Sequence, residues 1–372
     1  MTPLTSAAMG KYAAAGVDYE VLDAGKRAAV AAALATTAFA SQRGAQGIDA
    51  SRGEPAFVFE LGGQHLAVVL ECLGTKSTIA RQYQDLTGIN RFADIAYDSV
   101  AAIVNDMICV GALPLVVSAY FATGSPAWYQ AEGRFEQLVK GWGDACRDAG
   151  ATWGGGESPG LSGIVVDTEI DLAGAAVGAI PAGHEPILGN RLAVDDEIVL
   201  LAGTGLHANG ASLARSVAGG LASGYRTQLG DGVALGDALL VPAPIYTGVM
   251  EAWLAAGVPI SYVSHITGHG FRKIMRADRD FVYRITEVPP VPEVLSFLVA
   301  EAGLDAHEAY GTFNMGAGLA ACCASGSSGD VVRLAKEQGH EAWACGVVEQ
   351  GRRSVVIEPL SITYSAEDLQ LR

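Results

Sequence analysis

The chain has 372 residues, half of them apolar and only 17% charged, with a formal net charge of −16. That length favours two domains, the apolar content supplies a large buried core, and the negative charge disfavours nucleic acid and anionic membrane surfaces as partners. The positive mean hydropathy does not signal a membrane span. The strongest candidate, the uncharged stretch Met107 to Gly124, is interrupted by Gly111, Pro114, Ser118 and Thr123, whereas a bilayer asks for about 20 unbroken apolar residues. It reads as a helix end, a turn and a buried strand. The opening segment MTPLTSAAMGKYAAAG lacks the basic, apolar and cleavage regions of a signal peptide, which predicts a cytoplasmic protein. Six cysteines without CxxC spacing predict reduced, buried thiols.

In chain order, the alanine-rich run Ala28 to Ser41 predicts a helix, followed by a glycine-bearing loop over 44–53. Phe57 to Leu61 and His65 to Leu70 flank Gly62-Gly63, the pattern of a β-hairpin, with the second strand ending at Glu71. Ile95 to Gly111 has apolar residues at helical spacing, Leu115 to Phe121 reads as a buried strand, and Ala131 to Ala149 as an amphipathic helix. The three glycines of ATWGGGESPG (151–160) read as a loop, and strands are expected over Ile164 to Asp167 and Ile170 to Ala179. PAGHEPILGN (181–190) is the candidate linker, dividing the chain into domains 1–181 and 182–372. Beyond it come a strand over Glu197 to Ala202, helices over Ala208 to Ala218 and Tyr246 to Ala256, and strands near Ala317 to Cys322 and Ser354 to Glu358.

Six segments carry groups suited to chemistry. In LECLGTK (70–76) a carboxylate, a glycine turn and a lysine suit a metal-bound polyphosphate: Glu71 could hold Mg²⁺, while exposed amides and Lys76 meet phosphate oxygens. It could equally be an ordinary strand end. In DSVAAIVND, Asp98 and Asn105 are seven residues apart and share a helix face, with Asp106 beside them on an otherwise apolar helix. Polar groups there must be paired or metal-bound, although Asp98 could also be a helix cap. Glu157 follows the glycines of GGGESPG, and GTGLHANGASL (203–213) is a glycine-rich turn feeding a helix, a ready anion site beside His207. SHITGHGF (264–271) and YGTFNMGAG (310–318) are glycine-spaced turns, with Phe313 and Met315 read as core.

Taken in order, these segments resemble the aminoimidazole ribonucleotide synthetase (phosphoribosylformylglycinamidine cyclo-ligase) family. The resemblance runs through YAAAGVD (12–18), GTK (74–76), VNDMICVGALP (104–114), YFATG (120–124), GGE (155–157), LHANGASLAR (206–215), PAPIY (242–246), HITGHGF (265–271) and TFNMGAGL (312–319). It implies a fold of two α/β domains, the N-terminal one binding ATP and pairing with its counterpart in a homodimer through an intersubunit β-barrel. It also implies ATP-dependent phosphorylation of the formyl amide oxygen of formylglycinamidine ribonucleotide, then ring closure to aminoimidazole ribonucleotide with loss of phosphate.

On that basis Glu71, Asp98, Asp106 and Glu157 are the expected Mg²⁺ ligands, and His207 and Lys76 the expected catalytic groups. Gly74, Thr75, Lys76, Asn105, Asp106, Gly155, Gly156, Asn209 and Gly210 are the expected nucleotide-binding set. The chain departs from the family pattern in having Glu71 for an Asp, Leu113 for an acidic residue, Ser118 for an Asp and His269 for a Gly of TGGGF. Pro244 and Gly311 stand where the family has the arginines of PTRIY and YRTFN, which removes two cations a phosphorylated substrate would want. Three readings follow: the cyclo-ligase, a superfamily paralogue phosphorylating another amide or acyl oxygen, and a non-catalytic nucleotide-binding dimer.

Overall fold

A computed structural model describes residues 19–131 and 133–369; the YAAAGVD motif lies outside them. Two mixed sheets, each with its own helices, make a two-domain α/β fold. The first sheet has six strands in the order β1-β2-β3-β6-β4-β5. They are β1 (Ala45–Gly47), β2 (Phe57–Leu61), β3 (Gln64–Cys72), β4 (Leu113–Thr123), β5 (Thr152–Glu157) and β6 (Ile170–Ala179). All pairings are antiparallel except β4 with β5. Gly62 and Gly63 both take positive φ, as a tight turn between twisted strands requires.

The second sheet has seven strands in the order β13-β12-β9-β11-β7-β10-β8. They are β7 (Glu197–Ala202), β8 (Ile260–His265), β9 (Phe281–Ile285), β10 (Ala317–Cys323), β11 (Ala342–Gln350), β12 (Ser354–Ile357) and β13 (Ile362–Ser365). Only β9 with β12 is parallel. Strand β10 lies between β7 and the edge strand β8 and is buried along its whole length, which fits its continuous apolar run, AGLAACC.

The Phe92–Ile108 helix joins the domains. It packs on β3, β4 and β6 of one sheet and also on β8 and the Thr247–Ala255 helix of the other half. One hydrophobic core runs from Val58 and Val69 through Ile103 and Met107 to Leu200, Tyr283 and Phe313. Phe313 and Met315 are core residues, as expected.

Several local expectations are corrected. Ile164 to Asp167 forms no strand: Ile164 is 81% exposed, in a turn with only isolated bridges. The glycine-rich 152–157 is strand β5 instead of a loop, because the β4 backbone approaches so closely that a Cβ on Gly156 would overlap Ala119. The Ala28 to Ser41 run is two helices, Tyr19–Leu34 and Thr37–Ser41, and the loop after them contains β1. A helix over Lys76–Thr87 follows β3. All six cysteines are free and five are buried, but Cys72, the last residue of β3, is exposed. Among the described residues, no helix is long and apolar enough to cross a membrane.

Candidate functional site

The end of β3, the turn after it and the Phe92–Ile108 helix wall one side of a cleft of about 760 Å³. The turn before the Ala211–Gly220 helix, the end of β8 and the short helix Gly270–Met275 wall the other. Glu71, Gly74, Thr75 and Asp106 thus face Asn209, Gly210, His265, Lys273 and Arg276. Gly210 has φ +93, and its neighbour Phe313 leaves no room for a side chain. Its backbone begins the Ala211–Gly220 helix at the cleft, where free amides favour negative charge.

The electrostatics centre on a carboxylate pair with cations around it. Asp106 Oδ1 lies 2.7 Å from His265 Nδ1. Burial alone would raise the Asp106 pKa, but the His265 hydrogen bond and charge, with Lys273 and Arg276, hold it down at about 2. Glu71 moves the other way, pushed up to about 8 by burial and then by the charge of Asp106, against the pull of Lys273 and Arg276. The two carboxyls accordingly settle as one charged and one protonated group. Burial, followed by the charge of Arg276, lowers Lys273 to about 8. Arg276 is held by its Nε donating to the Gly53 carbonyl at 2.9 Å.

Two carboxylates are what a hydrated Mg²⁺ bridged to phosphates uses, whereas a closed all-protein cage needs more ligands. Among the described residues no three His, Cys, Asp or Glu side chains gather as a metal site. Glu71 and Asp106 therefore fit a metal that arrives with phosphate oxygens, and the four-carboxylate set expected from sequence is not assembled.

Asp98 is fully buried, with Oδ2 at 2.5 Å from Lys76 Nζ and Oδ1 accepting the Ala243 amide at 2.7 Å. Lys76 is equally buried, and neither lines the cleft. Asn105 is spent in the same way: its Nδ2 donates to the Pro244 carbonyl at 2.8 Å, and its Oδ1 accepts the Tyr246 amide at 2.9 Å. Asp98 and Asn105 do share a helix face, but that face grips the 243–246 segment of the other domain. Gly155, Gly156 and Glu157 sit exposed on edge strand β5, outside the cleft.

His207 also stands outside the cleft lining. It is buried with φ +58, its Nε2 accepts the Thr204 amide at 3.1 Å, and its Nδ1 has no partner. Burial, then the positive charges of His265 and Lys76, lower its pKa to about 3, so the ring is neutral. The cleft instead presents His265, Lys273 and Arg276, which sequence reasoning did not single out. HITGHGF marked the segment, but the pairing of His265 with Asp106 appears only once β8 is laid against the helix.

Residues 53–180 match the N-terminal domain of AIR synthase related protein, and residues 193–358 match its C-terminal domain. The chain belongs to that family. It is 37% identical over 290 residues to a phosphoribosylformylglycinamidine cyclo-ligase of Anaeromyxobacter sp. (strain Fw109-5), covering 77% of this chain and 81% of the relative. To the Clostridium novyi (strain NT) cyclo-ligase it is 31% identical over 327 residues, covering 86% and 93%. The fold is shared with the hydrogenase maturation protein HypE in complex with ATP, at a TM-score of 0.56 and 18% identity, covering 80% and 83%. The chain is thus an enzyme of the cyclo-ligase family, on a fold that other chemistries also use.

Proposed function

We propose that the chain is an ATP-dependent cyclo-ligase that phosphorylates the formyl amide oxygen of formylglycinamidine ribonucleotide and closes it to aminoimidazole ribonucleotide. The observation that carries this reading is the cleft itself. It joins Glu71, Asp106 and the amides of Gly74 and Gly210 to Lys273 and Arg276, a set suited to a metal-bound polyphosphate. The relatives named cyclo-ligase supply the acceptor, and the HypE structure with ATP supports the donor.

When bound, Mg²⁺ would neutralise phosphate charge while held by Glu71 and Asp106. Lys273 and Arg276 add positive charge from the protein side, and His265 fixes the Asp106 carboxylate through its 2.7 Å contact. Phosphorylation turns the formyl carbon into an electrophile, the amidine nitrogen attacks it, and phosphate leaves. Such a reaction asks for positioning and charge neutralisation more than for a protein nucleophile.

We infer a homodimer formed through the outer face of the first sheet. Val68, Val177 and Val116 lie side by side across β3, β6 and β4, next to Leu70, which is 73% exposed. That row of apolar side chains on an uncovered sheet face suits burial against a second copy, in the manner of the family's β-barrel.

The test is ATP-dependent release of phosphate with formylglycinamidine ribonucleotide, together with growth of a purine auxotroph that lacks the cyclo-ligase. Turnover and growth are expected. Nucleotide binding without turnover on this acceptor would sink the cyclo-ligase reading in favour of a paralogue, a reading supported by Pro244 and Gly311 where the family has arginines.

A further inference from the structure

A second cavity, of about 790 Å³, lies between the Lys76–Thr87 helix and the Ala211–Gly220 helix, lined by Gln82, Ser212, Arg215, Ser216 and Tyr225 among others. It shares Ser212 with the cleft described above. At that shared wall the hydroxyls of Ser212 and Thr75 are hydrogen-bonded at 3.1 Å, and Thr75 lines only the first cleft.

Arg215 is the charged residue of this second cavity, and no carboxylate lines it. Its Nε is buried without a hydrogen-bond partner, and among the described residues it forms no ion pair. Nearby cations are engaged: Arg81 pairs with Asp85 and Glu169, Arg134 also holds Asp85, and Arg226 donates to the Leu86 carbonyl. The buried, unpartnered Nε of Arg215 is free to donate a charge-assisted hydrogen bond to an anion. Around it, the Ser212 and Ser216 hydroxyls and the Tyr225 phenol, which donates to Gln82 Oε1 at 2.7 Å, offer further polar contacts.

We propose that this cavity is the acceptor subsite and that Arg215 takes the phosphomonoester of a ribose-sized substrate there. The proposal rests on the reading of the first cleft as the polyphosphate site, because the Thr75–Ser212 wall then separates donor from acceptor by a single pair of hydroxyls. It also supplies a cation for the acceptor in a chain that lacks the two arginines at Pro244 and Gly311.

The test is calorimetric titration of the full chain with ribose 5-phosphate, inorganic phosphate and ribose, in wild type, Arg215→Gln and Arg215→Lys. Melting curves confirm that the variants fold. Ribose 5-phosphate is expected to bind and ribose not. Arg215→Gln should weaken that binding at least about tenfold and Arg215→Lys by less, with the affinity for a non-hydrolysable ATP analogue unchanged. Wild-type affinity for ribose 5-phosphate in Arg215→Gln overturns the subsite. So does inorganic phosphate binding as tightly as ribose 5-phosphate, which would mark a bare anion pocket. Arg215-dependent binding in an enzyme inert on formylglycinamidine ribonucleotide supports the subsite and defeats the cyclo-ligase reading. Turnover with an unchanged KM for that acceptor in Arg215→Gln does the reverse.

Discussion

Replacing Lys76 by Met tests whether the lysine of the GTK motif holds the domains together or acts on phosphate. Lys76 and Asp98 are both fully buried, their charged atoms 2.5 Å apart. Deleting one partner of such a pair leaves a buried charge that water cannot reach, an effect of about 3–5 kcal/mol. Asp98→Asn should cost a similar amount by orphaning the ammonium, while its amide oxygen can still accept from Ala243. The double variant carries no buried charge, so it should recover most of the loss and give a coupling of about 4 kcal/mol or more in a double-mutant cycle. Burial already raises the Asp98 pKa against the pull of Lys76. In Lys76→Met the orphaned carboxyl can therefore take up a proton, and the penalty should shrink as the pH falls. Urea unfolding of the four proteins at pH 7 and pH 5 gives these numbers, and nucleotide titration of the double variant reports on the site. A loss below about 1 kcal/mol in Lys76→Met, or a double variant no more stable than the singles, would refute the ion-pair argument. A stable double variant unable to bind nucleotide would return Lys76 to the phosphate.

Three further outcomes follow from the same geometry. Glu71 is raised to about 8 and so holds a proton at pH 7 that a metal must displace. Mg²⁺ binding should release that proton and tighten as the pH rises through 8, seen as buffer-dependent heats in calorimetry and absent in Glu71→Gln. His207 has a pKa of about 3 in the folded protein against 6.5 unfolded. Its contribution to stability is complete above 6.5 and is lost as the pH falls towards 3, by up to about 1.4 kcal/mol per pH unit. His207→Gln should remove that part of the acid slope in urea unfolding, and an identical slope would show that the ring titrates normally. Leu70→Lys on the open sheet face should halve the light-scattering mass from twice 38.3 kDa, without lowering the stability of the single chain; a wild-type mass of one chain would remove the dimer.

How much of this was legible in the sequence depended on whether a residue's partner was close in the chain. The Gly62-Gly63 hairpin and the Phe92–Ile108 helix were readable because turn chemistry and periodicity are local. Ile164 and Val166 look like a strand, but what they lack is a neighbour: no sheet covers them, and both remain exposed. Thr152–Glu157 looks like a loop because of its glycines, yet those glycines admit the β4 backbone. The spacing of Asp98 and Asn105 established a common helix face and could not tell what meets it. The answer, the 243–246 segment, comes from the other domain.

That helix shows why the site residues divide as they do. Asp98 and Asn105 hold the 243–246 backbone, while Asp106, the next residue after Asn105, turns towards the cleft and meets His265. One rigid element thus fixes the distance between the domains and one of the two carboxylates between them. The contacts of Asp98 and Asn105 with the 243–246 segment seat this helix, and with it Asp106, against the other domain. Precise placement of a carboxylate at a domain boundary needs such support, because a site shared by two bodies is only as well defined as the joint between them.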